Sequence, residues 1–153
     1  MAESETVWIL LNPADSVAAQ PPVRWAVEQL RQAIKARGVA AEVVEQAGLP
    51  QVPTSGTCVV VAGRASAVAA GILAGANVSI PDVPEALGLA PGRLASRPVL
   101  LACGADARGL VYAVLELADR VAFSAEPSAA LTIERPVIER PANVVFALRQ
   151  LLP

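Results

Sequence analysis

Pro98–Val121, PVLLACGADARGLVYAVLELADRV, is the stretch whose reading decides the fold. Its first six residues are apolar and stop at Gly104, as a buried strand closed by a turn does. From Asp106 the period changes. Leu110, Val114, Leu117 and Val121 recur at three- and four-residue spacing, with Val111, Leu115 and Ala118 beside them. They define one face of a helix over Asp106–Val121, and Tyr112, Glu116, Asp119 and Arg120 fall outside it. Asp106 suits the N-cap. Gly104 permits a tight turn, and Gly109 in the first helical turn predicts a close approach to neighbouring backbone. Glycine inside a helix costs about 1 kcal/mol against alanine, so its presence there asks for a packing reason.

The same reading extends outward. Thr6–Leu11 is an apolar strand ended by Asn12-Pro13. Val23–Arg37 places Val23, Ala26, Val27, Leu30, Ala33 and Ile34 on one helical face, with Pro21-Pro22 in the first turn and Gly38 after the last. Val39–Val44 resumes as a strand, so the first two strands are expected to run parallel around a helix. Thr57–Ala62 is a central strand, and Ser66–Leu73 a short alanine-rich helix ended by Gly75. The segment 76–97 reads as irregular, with Glu85–Ala90 and a Pro91-Gly92 turn opening a hairpin into Pro98–Cys103. Leu131–Ile133 suggests a short strand. Glu134–Pro141 is extended, because Pro136 and Pro141 block a helix.

Composition bounds the function. The chain has 153 residues, 54% hydrophobic and 17% charged, with a net charge of -2. That length suits one domain, and that composition excludes intrinsic disorder. The charge balance leaves no basic surface for nucleic acid. No apolar run is long enough for a membrane span, and the acidic start, Met1–Glu5, lacks the apolar core of a signal peptide. No histidine is present, which removes Ser-His-Asp and Cys-His catalysis and most zinc sites. Cys58 and Cys103 each lie inside an apolar run and are expected as buried free thiols. No cofactor and no metal site is expected.

Two loops stand where a phosphate loop would. Gly63-Arg64-Ala65-Ser66 lacks the glycine spacing and the Lys-Ser/Thr ending. Gly104–Gly109 has Gly-x-x-x-x-Gly spacing but continues as Leu110-Val111. Both are expected to be structural turns. Two acid pairs, Glu116 with Asp119 and Asp82 with Glu85, read as solvated surface rather than a glycosidase pair. Trp25 lies on the polar face of its helix and is either a lone exposed aromatic or a contact with another domain or subunit.

Gly104, Asp106, Arg108, Gly109, Tyr112 and Leu117, after an apolar strand, resemble the Gly-x-Asp-x-Arg-Gly pattern of the N-terminal non-catalytic domains of α-glucuronidases and the related domain of β-N-acetylhexosaminidases. The resemblance implies an α+β domain: a mixed β-sheet with two main helices packed on one face, a zincin-like arrangement without a metal site. In such enzymes this domain precedes a (β/α)8 barrel that carries the catalytic carboxylates. The implied organisation is one accessory domain over residues 1–133 and an exit segment over 134–153 leading toward the barrel. Trp25, Asp106 and Arg108 are the implied interdomain contacts, and no catalytic residue is assigned. The alternative is a stand-alone, doubly wound α/β domain binding a small molecule with the loops after residues 62 and 103. The apolar tail Asn143–Leu152 is expected to need cover, from its own domain or from a second copy through Val144, Phe146 and Leu148.

Overall fold

The computed structural model describes residues 6–46 and 52–139. Ten elements follow in order: β1 (Val7–Leu11), α1 (Pro21–Ala36), β2 (Ala41–Glu45), β3 (Thr57–Gly63), α2 (Ala67–Ala76), β4 (Leu87–Leu94), β5 (Arg97–Gly104), α3 (Ala107–Phe123), α4 (Pro127–Ala130) and β6 (Val137–Glu139). The strands form one sheet in the order β2-β1-β3-β5-β4-β6. β2, β1, β3 and β5 run parallel to one another, and β4 is antiparallel to both β5 and β6. The architecture is α+β with a mixed sheet, as the sequence led us to expect.

Each strand's alternation feeds two cores. Val7, Ile9, Leu11, Val59, Val61, Leu100 and Ala102 face α1 and α3, which supply Val23, Val27, Leu30, Leu110, Val114 and Leu117. The opposite residues, Leu10, Cys58, Val60, Ala62, Leu101 and Cys103, face α2 through Ala69, Ile72 and Leu73. The two long helices therefore share one face, and the short apolar helix lies on the other. Arg37, just past α1, fastens the pair by donating from Nη1 to the carbonyls of Val121 and Ser124 at 2.7 and 2.8 Å.

Helix placement separates this fold from a doubly wound one. β1 to β2 and β5 to β6 are parallel crossovers that move in opposite directions across the sheet, yet their helices lie on the same face. The two connections consequently have opposite hands. The crossover from β3 to β5 moves opposite to the first and uses the opposite face, so it shares the first one's hand. The β5–α3–β6 connection is thus the odd one, although parallel crossovers are right-handed in about 98% of cases. In a doubly wound sheet the helices would change face when the direction of travel reverses.

Two expectations from the sequence need correction. The hairpin between β4 and β5 exists, but its turn is Ala95-Ser96, both with positive φ (50° and 65°), and not Pro91-Gly92. Pro91 lies inside β4, beyond the three rungs shared with β6, where that side of the strand is an edge and a missing N–H is tolerated. Gly92 is there for packing, since a Cβ would stand 2.5 Å from Ile72 Cγ2 of α2. Leu131–Ile133 is no strand. α4 precedes it, and the sixth strand is Val137–Glu139. The tail Asn143–Leu152, with Val144, Phe146 and Leu148, lies outside the described residues.

Candidate functional site

The carboxyl ends of β1, β3 and β5 converge on one edge of the sheet, together with both loops singled out in the sequence. The loop Gly104–Gly109 is occupied by internal bonds. Asp106 caps α3, its Oδ1 accepting from the Gly109 N–H at 2.9 Å, while its Oδ2 accepts from the Glu85 N–H at 3.0 Å. Ala105 N–H donates to the Ala86 carbonyl at 2.9 Å. Arg108 reaches across to Glu85 at 2.7 Å. That pairing raises the Arg108 pKa further above its ordinary value, the hydrogen bond to Glu85 being the main cause. Both glycines are sterically required. A Cβ on Gly104 would stand 2.2 Å from Leu110 N, and one on Gly109 would stand 2.3 Å from Ala86 O. Glu85 itself has φ 65°, a conformation uncommon outside glycine and asparagine, and these bonds hold it.

A second carboxylate works in the same way between β1 and β3. Asp15 Oδ1 accepts from the N–H groups of Val17 and Ala18, and its Oδ2 from the Gly63 N–H at 2.8 Å. The cleft above it, bounded by Leu11, Asn12, Gln46, Val61 and Ser66, holds about 20 Å³, the space of one water. Ser66 caps α2 through Oγ, accepting from the Ala69 N–H at 3.1 Å. Arg64 donates from Nε to the Ile80 carbonyl at 2.7 Å. The loops after residues 62 and 103 are thus strand-to-helix turns with their polar groups engaged by the chain itself.

Both acid pairs lie at the surface: Asp82, Glu116 and Asp119 are exposed and Glu85 is half-buried. Glu116 bonds Arg120 one turn on at 3.0 Å, and Glu85 bonds Arg108. The side chain of Asp82 is 80% exposed, with Arg64 at 3.9 Å. Among the described residues no group of three or more His, Cys, Asp or Glu is placed to hold a metal ion. No helix among them is long and apolar enough to cross a membrane. Cys58 and Cys103 are buried free thiols. Burial pushes the Cys103 pKa to about 12, and burial also raises that of Cys58, where the nearby Arg97 guanidinium partly opposes it.

Of the three implied contact residues, Asp106 faces inward to its two amide donors. Arg108 and Trp25 reach solvent, Trp25 being 55% exposed on α1. Tyr112 is 47% exposed on α3, and both aromatics lie opposite the core-facing stripes of their helices. The sequence reading passed over the opposite end of the sheet. There a cleft of about 250 Å³ opens between the amino ends of β3 and β5, walled by Gly56, Cys58, Arg97, Val99, Leu131 and Ile133 among others.

No protein-family model matches the chain, and no curated protein is similar to it in sequence. The fold does occur in a glycoside hydrolase. A GH138 enzyme targeting pectin rhamnogalacturonan II superposes with a TM-score of 0.51 over 87% of this chain, at 16% identity. This chain spans about 15% of the length of that enzyme. The likeness is one of fold.

Proposed function

We propose that this chain is a non-catalytic accessory domain of a carbohydrate-active enzyme, similar to the N-terminal domains of α-glucuronidases and β-N-acetylhexosaminidases, and that it sits beside a (β/α)8 barrel in the same polypeptide. The observation that carries this reading is the use made of the Gly-x-Asp-x-Arg-Gly residues. Ala105, Asp106, Arg108 and Gly109 each make a contact that fastens the β5–α3 turn to Glu85-Ala86, and Gly104 leaves room for Leu110 within the turn. The pattern by which the sequence resembles those domains is therefore a set of framework contacts. Arrangement of the acids supports the same reading, since a glycosidase needs two carboxyl groups about 5–9.5 Å apart flanking one bond, with one kept protonated. Glu85 and Glu116 instead pair with arginines. The fold likeness to a short portion of a glycoside hydrolase is consistent with it.

The test is activity of the purified chain on a panel of aryl-glycosides and aryl-glucuronides. No turnover is expected. Turnover abolished by Glu116→Gln, Asp119→Asn, Asp82→Asn or Glu85→Gln would overturn the reading.

A further inference from the structure

The whole of α2, AVAAGILAGA, carries no polar side chain on any side. Its inner side, Ala69, Ile72 and Leu73, packs on the sheet. Its outer side, Ala67, Ala70, Gly71, Ala74 and Gly75, is exposed among the described residues. A helix that is apolar all round is ordinarily covered all round, because leaving apolar surface in water is unfavourable. α1 and α3 differ. Their outer sides carry Arg24, Gln32, Lys35, Glu116 and Asp119, all exposed, as solvated helices do. The described chain stops at the end of the sheet where α2 begins. Glu139 is level with Leu87, and Leu87 with Gly104. Gly63, one loop before α2, is level with Gly104 too. α2 packs over β4, the strand that β6 pairs with, through Ile72 on Gly92. Ile138 of β6 is half-buried on that same side, against Ile80 in the space that Gly88 leaves.

We propose that the apolar segment Asn143–Leu152 of this same chain docks as a short helix on the outer side of α2. In NVVFALRQLL, Val144, Val145, Leu148, Leu151 and Leu152 recur at three- and four-residue spacing and share one side of a helix. Arg149 and Gln150 fall outside that stripe, and Asn143 suits the N-cap. Residues 140–143 extend to about 13 Å, enough to climb one packed layer from the end of β6. Alanine and glycine keep the outer side of α2 low, so a helix bearing valines and leucines can approach to an ordinary packing distance. The outer sides of α1 and α3 are poorer seats, since the segment would strip water from charges that it cannot pair. The docking concerns residues of this chain alone and does not depend on the accessory-domain reading.

The test is methyl NMR on residues 1–153 with the alanine, valine and leucine methyls labelled. Nuclear Overhauser contacts are expected from the Ala70 and Ala74 methyls to those of Val144, Leu148 and Leu151. They should persist on about tenfold dilution and arise within one molecule when labelled and unlabelled copies are mixed. Ala74→Arg sets a long cation on the outer side of α2, and Leu148→Asp sets a charge in the docking stripe. Each should abolish these contacts and speed amide exchange over residues 145–152 by at least about tenfold. Gln32→Arg, on the outer side of α1, should change neither. Contacts found only between copies, contacts of the segment with α1 or α3 instead, no contact at all, or contacts that survive Ala74→Arg or Leu148→Asp would each overturn the proposal. Should Ala74→Arg fail to fold, Leu148→Asp and the unaltered chain decide.

Discussion

Gly109 shows what a single residue can require of this fold. Its missing Cβ leaves room for the Ala86 carbonyl, and backbone cannot rotate aside as a flexible side chain can. Gly109→Val should lower stability by more than about 2 kcal/mol, well beyond a typical surface change, read as a fall in the midpoint of thermal unfolding. Gly71 and Gly75 in α2 have open space where a Cβ would go. Gly71→Ala should therefore stabilise by about 0.5–1 kcal/mol through helix propensity, and the same melts supply the comparison. Asp106→Ala removes the cap of α3 and leaves the Glu85 N–H without its acceptor, so a loss of about 1–3 kcal/mol is expected. The sequence made the importance of Gly104, Asp106 and Gly109 legible, because a glycine in a first helical turn after a capping residue has few explanations. It could not name Glu85-Ala86 as the partner, since nothing local in a proline-rich stretch marks which backbone will come alongside.

Elements were readable wherever one period ran long enough. α1 and α3 carry apolar residues on a single stripe for four turns, and β1, β3 and β5 from Pro98 are continuous apolar runs, as strands buried on both faces are. β4 was displaced because Pro91-Gly92 looks like a turn by composition, while the true turn, Ala95-Ser96, carries neither glycine nor proline. Two residues with positive φ between paired strands is the conformational class that favours Asn-Gly. Replacing Ala95-Ser96 by Asn-Gly should stabilise the hairpin by about 1 kcal/mol, visible as a raised urea midpoint with unchanged slope. β6 has three residues, too few for any period to show, and its place beside β4 is set by the sheet edge that it meets.

At the scale of the molecule, the two cores sit on the two faces of one sheet, and a thiol is sealed into the α2-facing one at each of Cys58 and Cys103. Native Cys103 keeps its proton to about 12, whereas an unfolded thiol loses it near 9. The unfolded chain then binds fewer protons than the native one, so stability should fall as pH rises from about 9 toward 12, the raised Cys58 pKa acting in the same direction. Urea melts at stepped alkaline pH should show this decline, and Cys103→Ala should reduce it. Alkylation of Cys103 at pH 8 should proceed at the rate of global opening. The cleft between the amino ends of β3 and β5 was invisible in the sequence, because it arises between two strands distant in the chain. The accessory-domain proposal belongs to this scale too, and the mass of the intact polypeptide tests it most directly. An immunoblot of cells expressing the native gene, with an antibody raised against residues 6–46, should reveal a band several times heavier than the 15.7 kDa of this chain. A single band at that mass would contradict the account.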